Sequence, residues 1–403
     1  MKRTFLGGLV AFALCMALID RILPAEAQGT PTPSTFEILE QTFESRYPRE
    51  LIFRIKARST VGQVIGARVI WRVRSEDSNT AYRLTSFTQG VEVELEYRHD
   101  LRRQFSAPPW QVIYYRWELV DDAGNLFRTP EVKAEYTDET RDWQKLSDGK
   151  VAVYWYDRDK SFGEQLLNVS RQGFDHVATA TGFTPEDELR VLVFNSQEDF
   201  CTIYLVGICQ EWIGGVAIGS ITVGWLDDSL RDQSDWFFNQ LIPHELAHAF
   251  LNYWMGGRVN ALPQWFNEGQ AQNNELKGLE EELERVRFLA NTGRLERLLL
   301  LDARDTITRN QSPRVRDWYA TATSVVRFLY EGWGKESLGK IVERVIQGED
   351  FERALKNVTG LTLPEFEIEW RQWLGVMEIP PTFAPTPTVA FPPTPTYPPT
   401  RQP

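Results

Sequence analysis

The chain has 403 residues, a hydrophobic fraction of 42% and a formal net charge of −12. That length gives room for two domains with full cores, and the composition is that of ordinary globular protein. The acidic balance, spread along the chain, argues against nucleic-acid binding, which needs a basic stripe.

Lys2 and Arg3 precede an apolar stretch from Phe5 to Ile19, and Ala25-Glu26-Ala27 offers a small-x-small step before Gln28. This is the pattern of a secretory signal peptide over residues 1–27, cleaved near Ala27. The alternative is a retained anchor, for which an apolar stretch closed by Asp20 and Arg21 is short. Lipidation at Cys15 is disfavoured by the bulk of Leu14 before it. No later segment is long and apolar enough to span a bilayer, so the mature chain is expected to be secreted or at the cell surface. With the signal removed, Cys201 and Cys209 remain, an even pair that in an oxidising compartment is expected to form a local disulfide. Two buried thiols are the other reading.

Residues 28–35 form a Pro/Thr/Ser linker. From 36 to 139 apolar and charged residues alternate in short runs: Leu51 to Ala57, Ala67 to Val73, Val91 to Tyr97 and Val112 to Leu119. Asp122-Ala123-Gly124-Asn125 then reads as a hairpin turn before Phe127. Period-2 alternation marks half-buried antiparallel strands. About seven strands in such a length predict an immunoglobulin- or fibronectin-like β-sandwich. Trp71, Trp110, Tyr115 and Trp117 are assigned to core packing, with a ligand surface as the alternative.

From 140 to 376 the pattern changes to mixed α/β and then to nearly all helix, an α+β arrangement. Val151 to Tyr156 and Leu189 to Phe194 read as strands flanking an amphipathic helix from Ser161 to Thr181. Gly214 to Val223 reads as one glycine-opened strand. Beyond Ser234 helices dominate, and a cleft is expected where the sheet-bearing half meets the helical half.

The strongest chemical signal stands at that join. His244-Glu245-Leu246-Ala247-His248 holds two of the chain's four histidines, and positions i and i+4 share a helix face. Neutral imidazole nitrogen and carboxylate oxygen are zinc donors, and a catalytic zinc site keeps a fourth position for water. Glu268, in Pro263-Gln264-Trp265-Phe266-Asn267-Glu268-Gly269, completes the set. His244, His248 and Glu268 are therefore the expected ligands of one zinc ion, with Glu245 as general base for the attacking water. The helix is expected from about Asp235 to Trp254, with Pro243 marking a start or a bend and Gly256-Gly257 ending it.

His244-Glu245-x-x-His248 followed by Pro263-x-Trp265-x-x-Glu268-Gly269-x-Ala271 makes the chain resemble a gluzincin metallopeptidase of the peptidase MA-like group, the clan of thermolysin and the zinc aminopeptidases. The resemblance extends from Gly149 to Leu374 and is closest from Leu241 to Ala271. It implies a zincin-type peptidase domain with a mixed sheet, a mostly helical C-terminal half and a peptide or protein substrate. It also implies that Tyr319, on the helix containing Trp318 to Leu329, supports the oxyanion. Phe366, Trp370 and Trp373 then fall at core spacing on the family's C-terminal helices. Three departures stand out. Gln272 occupies the place of the aspartate that orients a histidine in thermolysin-like enzymes, so another acceptor must serve. Gln270 stands where the family has an apolar residue. The glycine-rich strand lacks the glutamate with which aminopeptidases hold a substrate's amino end, which favours cleavage inside a chain.

The acidic run Glu275 to Glu284 reads as a solvated helix face paired with Lys277, Arg285 and Arg287. His99 and His176 read as ordinary surface or helix residues. The tail, 377–403, is nearly all Pro and Thr, and is expected to be extended and disordered, a spacer or stalk that could associate with the cell envelope. Three functions remain open from the sequence: an exported zinc endopeptidase, a catalytically inactive zinc-bearing surface protein, and a zinc hydrolase of a non-peptide amide.

Overall fold

The computed structural model of the chain describes residues 35–73, 80–84, 86–101, 108–203, 209, 213–227, 233–301 and 313–376. The signal segment, all but the last residue of the linker and the Pro/Thr-rich tail lie outside the described residues.

The N-terminal part is a two-sheet sandwich. Its strands are β1 (Phe36–Arg46), β2 (Glu50–Ser59), β3 (Val64–Arg72), β4 (Thr80–Arg83), β5 (Glu92–Asp100), β6 (Gln111–Asp121), β7 (Leu126–Arg128) and β8 (Val132–Tyr136). One sheet has the order β1-β2-β5 and the other β4-β3-β6-β7, with β8 also on β6, all antiparallel. The chain crosses between sheets after β2 and returns at β5, as a sandwich with Greek-key connections does. Alternation decides the faces. Leu51, Phe53, Ile55 and Ala57 are buried, while Arg54 and its cross-strand partner Glu96 meet outside at 2.7 Å. β1 was not anticipated, because a register shift between Ile38 and Glu40 breaks its period-2 pattern. β4 and β8 are too short to show alternation. Trp71, Tyr115 and Trp117 lie in the sandwich core. So does His99, which is not a surface residue: its ring packs against Trp71 and Tyr82 at 5.0 and 5.1 Å. His176 is exposed on a helix.

The second part opens with β9 (Gln144–Ser147), β10 (Val151–Trp155), α1 (Lys160–Thr181), β11 (Leu189–Phe194), α2 (Gln197–Cys201), β12 (Gly215–Ile218) and β13 (Ile221–Trp225). They make a mixed sheet of order β12-β13-β11-β10-β9, parallel in the middle and antiparallel at both edges. The single strand expected over Gly214 to Val223 is instead a hairpin. Gly219, at φ 59°, takes the left-handed conformation that reverses the chain, and β12 becomes the edge strand. The central strands of the sheet are buried on both faces. Val151, Val153, Val191 and Val193 pack with α1, and Ala152, Tyr154, Leu192 and Phe194 form a second layer on the other side.

Beyond that come α3 (Ser234–Trp236), a π-helical turn Phe237–Leu241, α4 (Ile242–Trp254), α5 (Gln264–Asn273), α6 (Glu280–Asn291), α7 (Pro313–Trp333), α8 (Ser337–Ile346), α9 (Phe351–Thr359) and α10 (Leu363–Trp373). α4 packs on the sheet through Leu246, Ala247 and Phe250, and α5 to α10 share a separate core around Trp265, Trp318, Phe366 and Trp370. Trp373 packs at the edge of that core. Among the described residues no helix is long and apolar enough to cross a membrane.

Candidate metal centre

α4 lies between the sheet and the helical core, so its histidines face the join. Pro243 falls in the first turn of α4, directly after the π-helical turn, and has no N–H to give the carbonyl of Asn239 four residues before it. Nε2 of His244 and Nε2 of His248 are 3.2 Å apart, and Oε2 of Glu268, from α5, is 3.3 and 3.4 Å from them. A triangle of that edge is one face of a tetrahedron whose centre lies about 2.0 Å from each vertex, which is the zinc–nitrogen and zinc–oxygen bond length. The three donors therefore fit a zinc ion, with the fourth vertex left for water.

Each imidazole is oriented by an acceptor behind it. Nδ1 of His248 donates to Oδ1 of Asn267 at 3.1 Å, and Nδ1 of His244 donates to Oε1 of Glu275 at 3.2 Å. With Nδ1 carrying the proton, each Nε2 turns its lone pair inward. Glu275 is thus not part of a solvated helix face. It is 8% exposed, precedes α6, and its second oxygen lies 3.6 Å from Nζ of Lys277. Lys277 also bonds Glu282 at 2.8 Å, while Arg285 reaches across to Asp317 on α7 at 2.6 Å.

The electrostatics favour positive charge at the centre. Burial would raise the Glu268 carboxyl, but the imidazoles of His248 and His244 hold it far below the usual carboxylate range. Burial likewise opposes a proton on His244, yet Glu268 and Glu275 outweigh it and carry its pKa up to about 10. A site that draws a proton this strongly also draws a cation, for the two compete for the same lone pairs.

Glu245 follows the first histidine of the triangle, and both it and Tyr319 feel the charge of Glu268. Glu245 accepts the backbone N–H of Ala217 in β12, and its pKa is raised chiefly by burial. A Cβ at Gly215 would come within 3.2 Å of its Cγ, so the edge strand passes directly against the carboxylate side chain. Tyr319 lies half-buried on α7, its ring edge-on to Trp318 at 5.2 Å. Its pKa is pushed well above the phenol range by burial and then by the charges of Glu268, Glu245 and Glu275. Cys201 and Cys209 are bonded at 2.03 Å and pack on the opposite face of the sheet, so the bridge braces the layer behind the centre. Asn267 and Glu275 were not anticipated as histidine partners. Asn267 could have been suspected from its place beside a ligand; no spacing in the sequence points to Glu275.

The peptidase MA superfamily model matches residues 169–376, over half of the chain and all of the elements just described from α4 onward. No curated protein matches. Among solved structures, an M1 zinc metallopeptidase from Deinococcus radiodurans is 10% identical, with 86% of this chain and 96% of that one covered at a TM-score of 0.33. An exo-chitosanase from Amycolatopsis orientalis is also 10% identical, with 60% and 28% covered at a TM-score of 0.15. At those scores neither likeness bears on the fold. The family match covers the histidine pair, Glu268 and Tyr319 together, and the chain belongs to the peptidase MA superfamily.

Proposed function

We propose that the chain is an exported zinc peptidase that cleaves internal peptide bonds. The observation that carries the reading is a half-buried carboxylate, Glu245, set beside a three-donor triangle of zinc dimensions at the edge of a sheet. A structural zinc site has no use for that base, which counts against an inactive binding protein. His244, His248 and Glu268 would hold a zinc ion, which would supply Lewis-acid polarisation of the scissile carbonyl and acidification of the attacking water. Glu245 takes the proton from that water and hands it to the leaving amine; its raised pKa suits a group that must both accept and release. The Tyr319 phenol, kept protonated by its surroundings, donates to the developing oxyanion.

The edge strand supports an internal cut. β12 is the terminal strand of its sheet, and a peptide added to it as a further strand passes over Glu245. Ile213 to Leu226 contains no acidic residue to hold a free amino end. Export is supported by the signal-like residues 1–27 and by the Cys201–Cys209 bridge, which suits an oxidising compartment.

Glu245→Gln is expected to bind zinc as the wild type does and to lose at least ~100-fold in hydrolysis, whereas His248→Ala loses the metal. Metal analysis and a digest of casein and a peptide library, with cleaved bonds located by mass spectrometry, check both. Full activity in Glu245→Gln, or cuts only at chain ends, would overturn the reading.

A further inference from the structure

The two sheets of the sandwich present different charge to solvent. On β6, Ile113, Tyr115, Trp117 and Leu119 turn into the core, so Tyr114, Arg116 and Glu118 turn outward. Register then sets two rows across that outer face. Arg68 of β3, Glu118 and Arg128 of β7 make one, and Arg72 of β3, Tyr114 and Lys133 of β8 make the other. Glu118 is shared by Arg68 and Arg128, and Glu131 by Arg72 at 2.7 Å and Arg116 at 3.8 Å. Each of these carboxylates serves two arginines, and the Arg72 guanidinium and Lys133 ammonium both lie over the Tyr114 ring, at 5.0 and 5.9 Å. On the other sheet Arg46, Arg54, Arg58 and Arg98 each reach two glutamates. In a chain of net charge −12, the β3-β6-β7/β8 face therefore stands out as basic.

That face runs into the joint between the two halves. A cavity of about 270 Å³ opens there, lined by Tyr114 and Lys133 from the sandwich and by Arg190, Ser220 and Ile221 from the mixed sheet. Ile221 pairs with Ile218, the last residue of β12, so the cavity begins at the closed end of the hairpin whose outer strand passes Glu245. A peptide paired antiparallel to β12, the more stable pairing, carries the residues before its cut bond toward Ile218. The far rim of the cavity, Glu186 to Glu188, is acidic and turns an anionic segment toward Lys133 and the arginine rows. We propose that this sandwich face is an exosite for an acidic stretch of the protein substrate, lying N-terminal to the bond that is cut. The inference rests on the zinc-peptidase reading above and names the substrate class of that site.

The probes are a peptide that the wild type cuts, extended before the cut bond by a run of glutamates or of serines, and a third with the glutamates after the bond. Arg128→Gln/Lys133→Gln removes the two most exposed cations of the face and leaves Glu118 with Arg68 and Glu131 with Arg72 and Arg116. Lys56→Gln/Arg98→Gln makes the same charge change on the other sheet, where Glu92 keeps Arg58 and Glu96 keeps Arg54. In low salt the leading glutamates are expected to raise wild-type kcat/KM roughly 3–10-fold over serines, through KM. The gain should vanish in Arg128→Gln/Lys133→Gln and in about 0.5 M salt, and persist in Lys56→Gln/Arg98→Gln. Thermal melts report on folding, and Lys133→Gln alone replaces a double variant that does not fold. No gain from leading glutamates, an equal gain from glutamates after the bond, or an unchanged gain in Arg128→Gln/Lys133→Gln overturns the exosite and leaves the peptidase reading intact. If no peptide is cut, the peptidase reading falls, and fluorescence anisotropy of labelled oligoglutamate still decides the face. Equal binding by wild type and Arg128→Gln/Lys133→Gln, or tighter binding of an acidic polysaccharide than of oligoglutamate, overturns the proposal.

Discussion

Gly269, next to the ligand Glu268, lies close against the helix that carries Tyr319. A Cβ there would lie 2.4 Å from the carbonyl oxygen of Ala322 and 2.8 Å from Cγ2 of Val326. Ordinary carbon–oxygen contact begins near 3.3 Å, so in Gly269→Ala α5 and α7 must part by about 0.9 Å. Overpacking of this size costs about 1–3 kcal/mol, and alanine's better helix propensity returns about 1 kcal/mol. The net loss of about 0–2 kcal/mol lowers the melting temperature by no more than about 8 °C in a protein of this size. Catalysis suffers more, because misplacing a reacting group by ~1 Å costs on the order of 100-fold. The expected result is therefore a folded protein with kcat/KM on a cleaved peptide down about 100-fold. Steady-state kinetics and a thermal melt measure the two sides. Wild-type kcat/KM together with a wild-type melt would refute the argument, since it would mean that α5 and α7 separate without moving Glu268 against Tyr319.

Trp236 is 40% exposed, and its ring covers Gly214 at the start of the edge strand, one residue from the contact between Gly215 and Glu245. Trp236→Ala should leave folding nearly unchanged and alter which residues are accepted beside the cut bond. Identical residue preferences for mutant and wild type in a peptide-library digest would rule that out. His99, 5% exposed in the sandwich, has its pKa lowered by burial. The unfolded chain therefore binds a proton there before the folded one does, so stability is complete above the unfolded pKa near ~6.5 and is lost as pH falls below it, by at most about 1.4 kcal/mol per pH unit. Melts from neutral to mildly acidic pH should show a shallower slope for His99→Gln than for wild type, and equal slopes would refute the assignment.

What could be read from the sequence was whatever local spacing expresses. The i, i+4 histidines and the step to Glu268 depend only on helix periodicity and on one helix–turn–helix connection, and they converge as the spacing requires. The long strands β2, β3, β5 and β6 show their alternation plainly, whereas the bulge in β1 shifts it and hides the strand. The Gly214–Val223 hairpin was hidden because a run of small and β-branched residues reads the same whether the chain continues or folds back; only the left-handed Gly219 distinguishes them. Glu275 was hidden for a different reason. Its charge neighbours in sequence suggested solvent, and only the tertiary contact with α4 turns it inward.

Trp110 shows how the sandwich bears on the site. The sequence assigned it to core packing, with a ligand surface as the alternative, and in the structure it is the joint between the two halves. Its ring stacks on Tyr154 at 4.9 Å and meets Trp143 edge-on at 6.3 Å, while its carbonyl accepts from the guanidinium of Arg190, which also pairs with Glu135 at 2.6 Å. Tyr47 and Thr202 share a further hydrogen bond across the joint at 2.6 Å. Trp110 sits at φ 65°, a conformation that costs a bulky residue roughly 1–3 kcal/mol. It persists because its ring and carbonyl are both held by the other half. Two of these partners, Tyr154 and Arg190, are on β10 and β11, and their neighbours in those strands, Val153 and Val191, pack on the opposite face in the cluster that holds α4. One sheet thus carries the sandwich on one side and the metal-binding helix on the other. The sandwich is part of the platform beneath the metal centre, not a module tethered beside it.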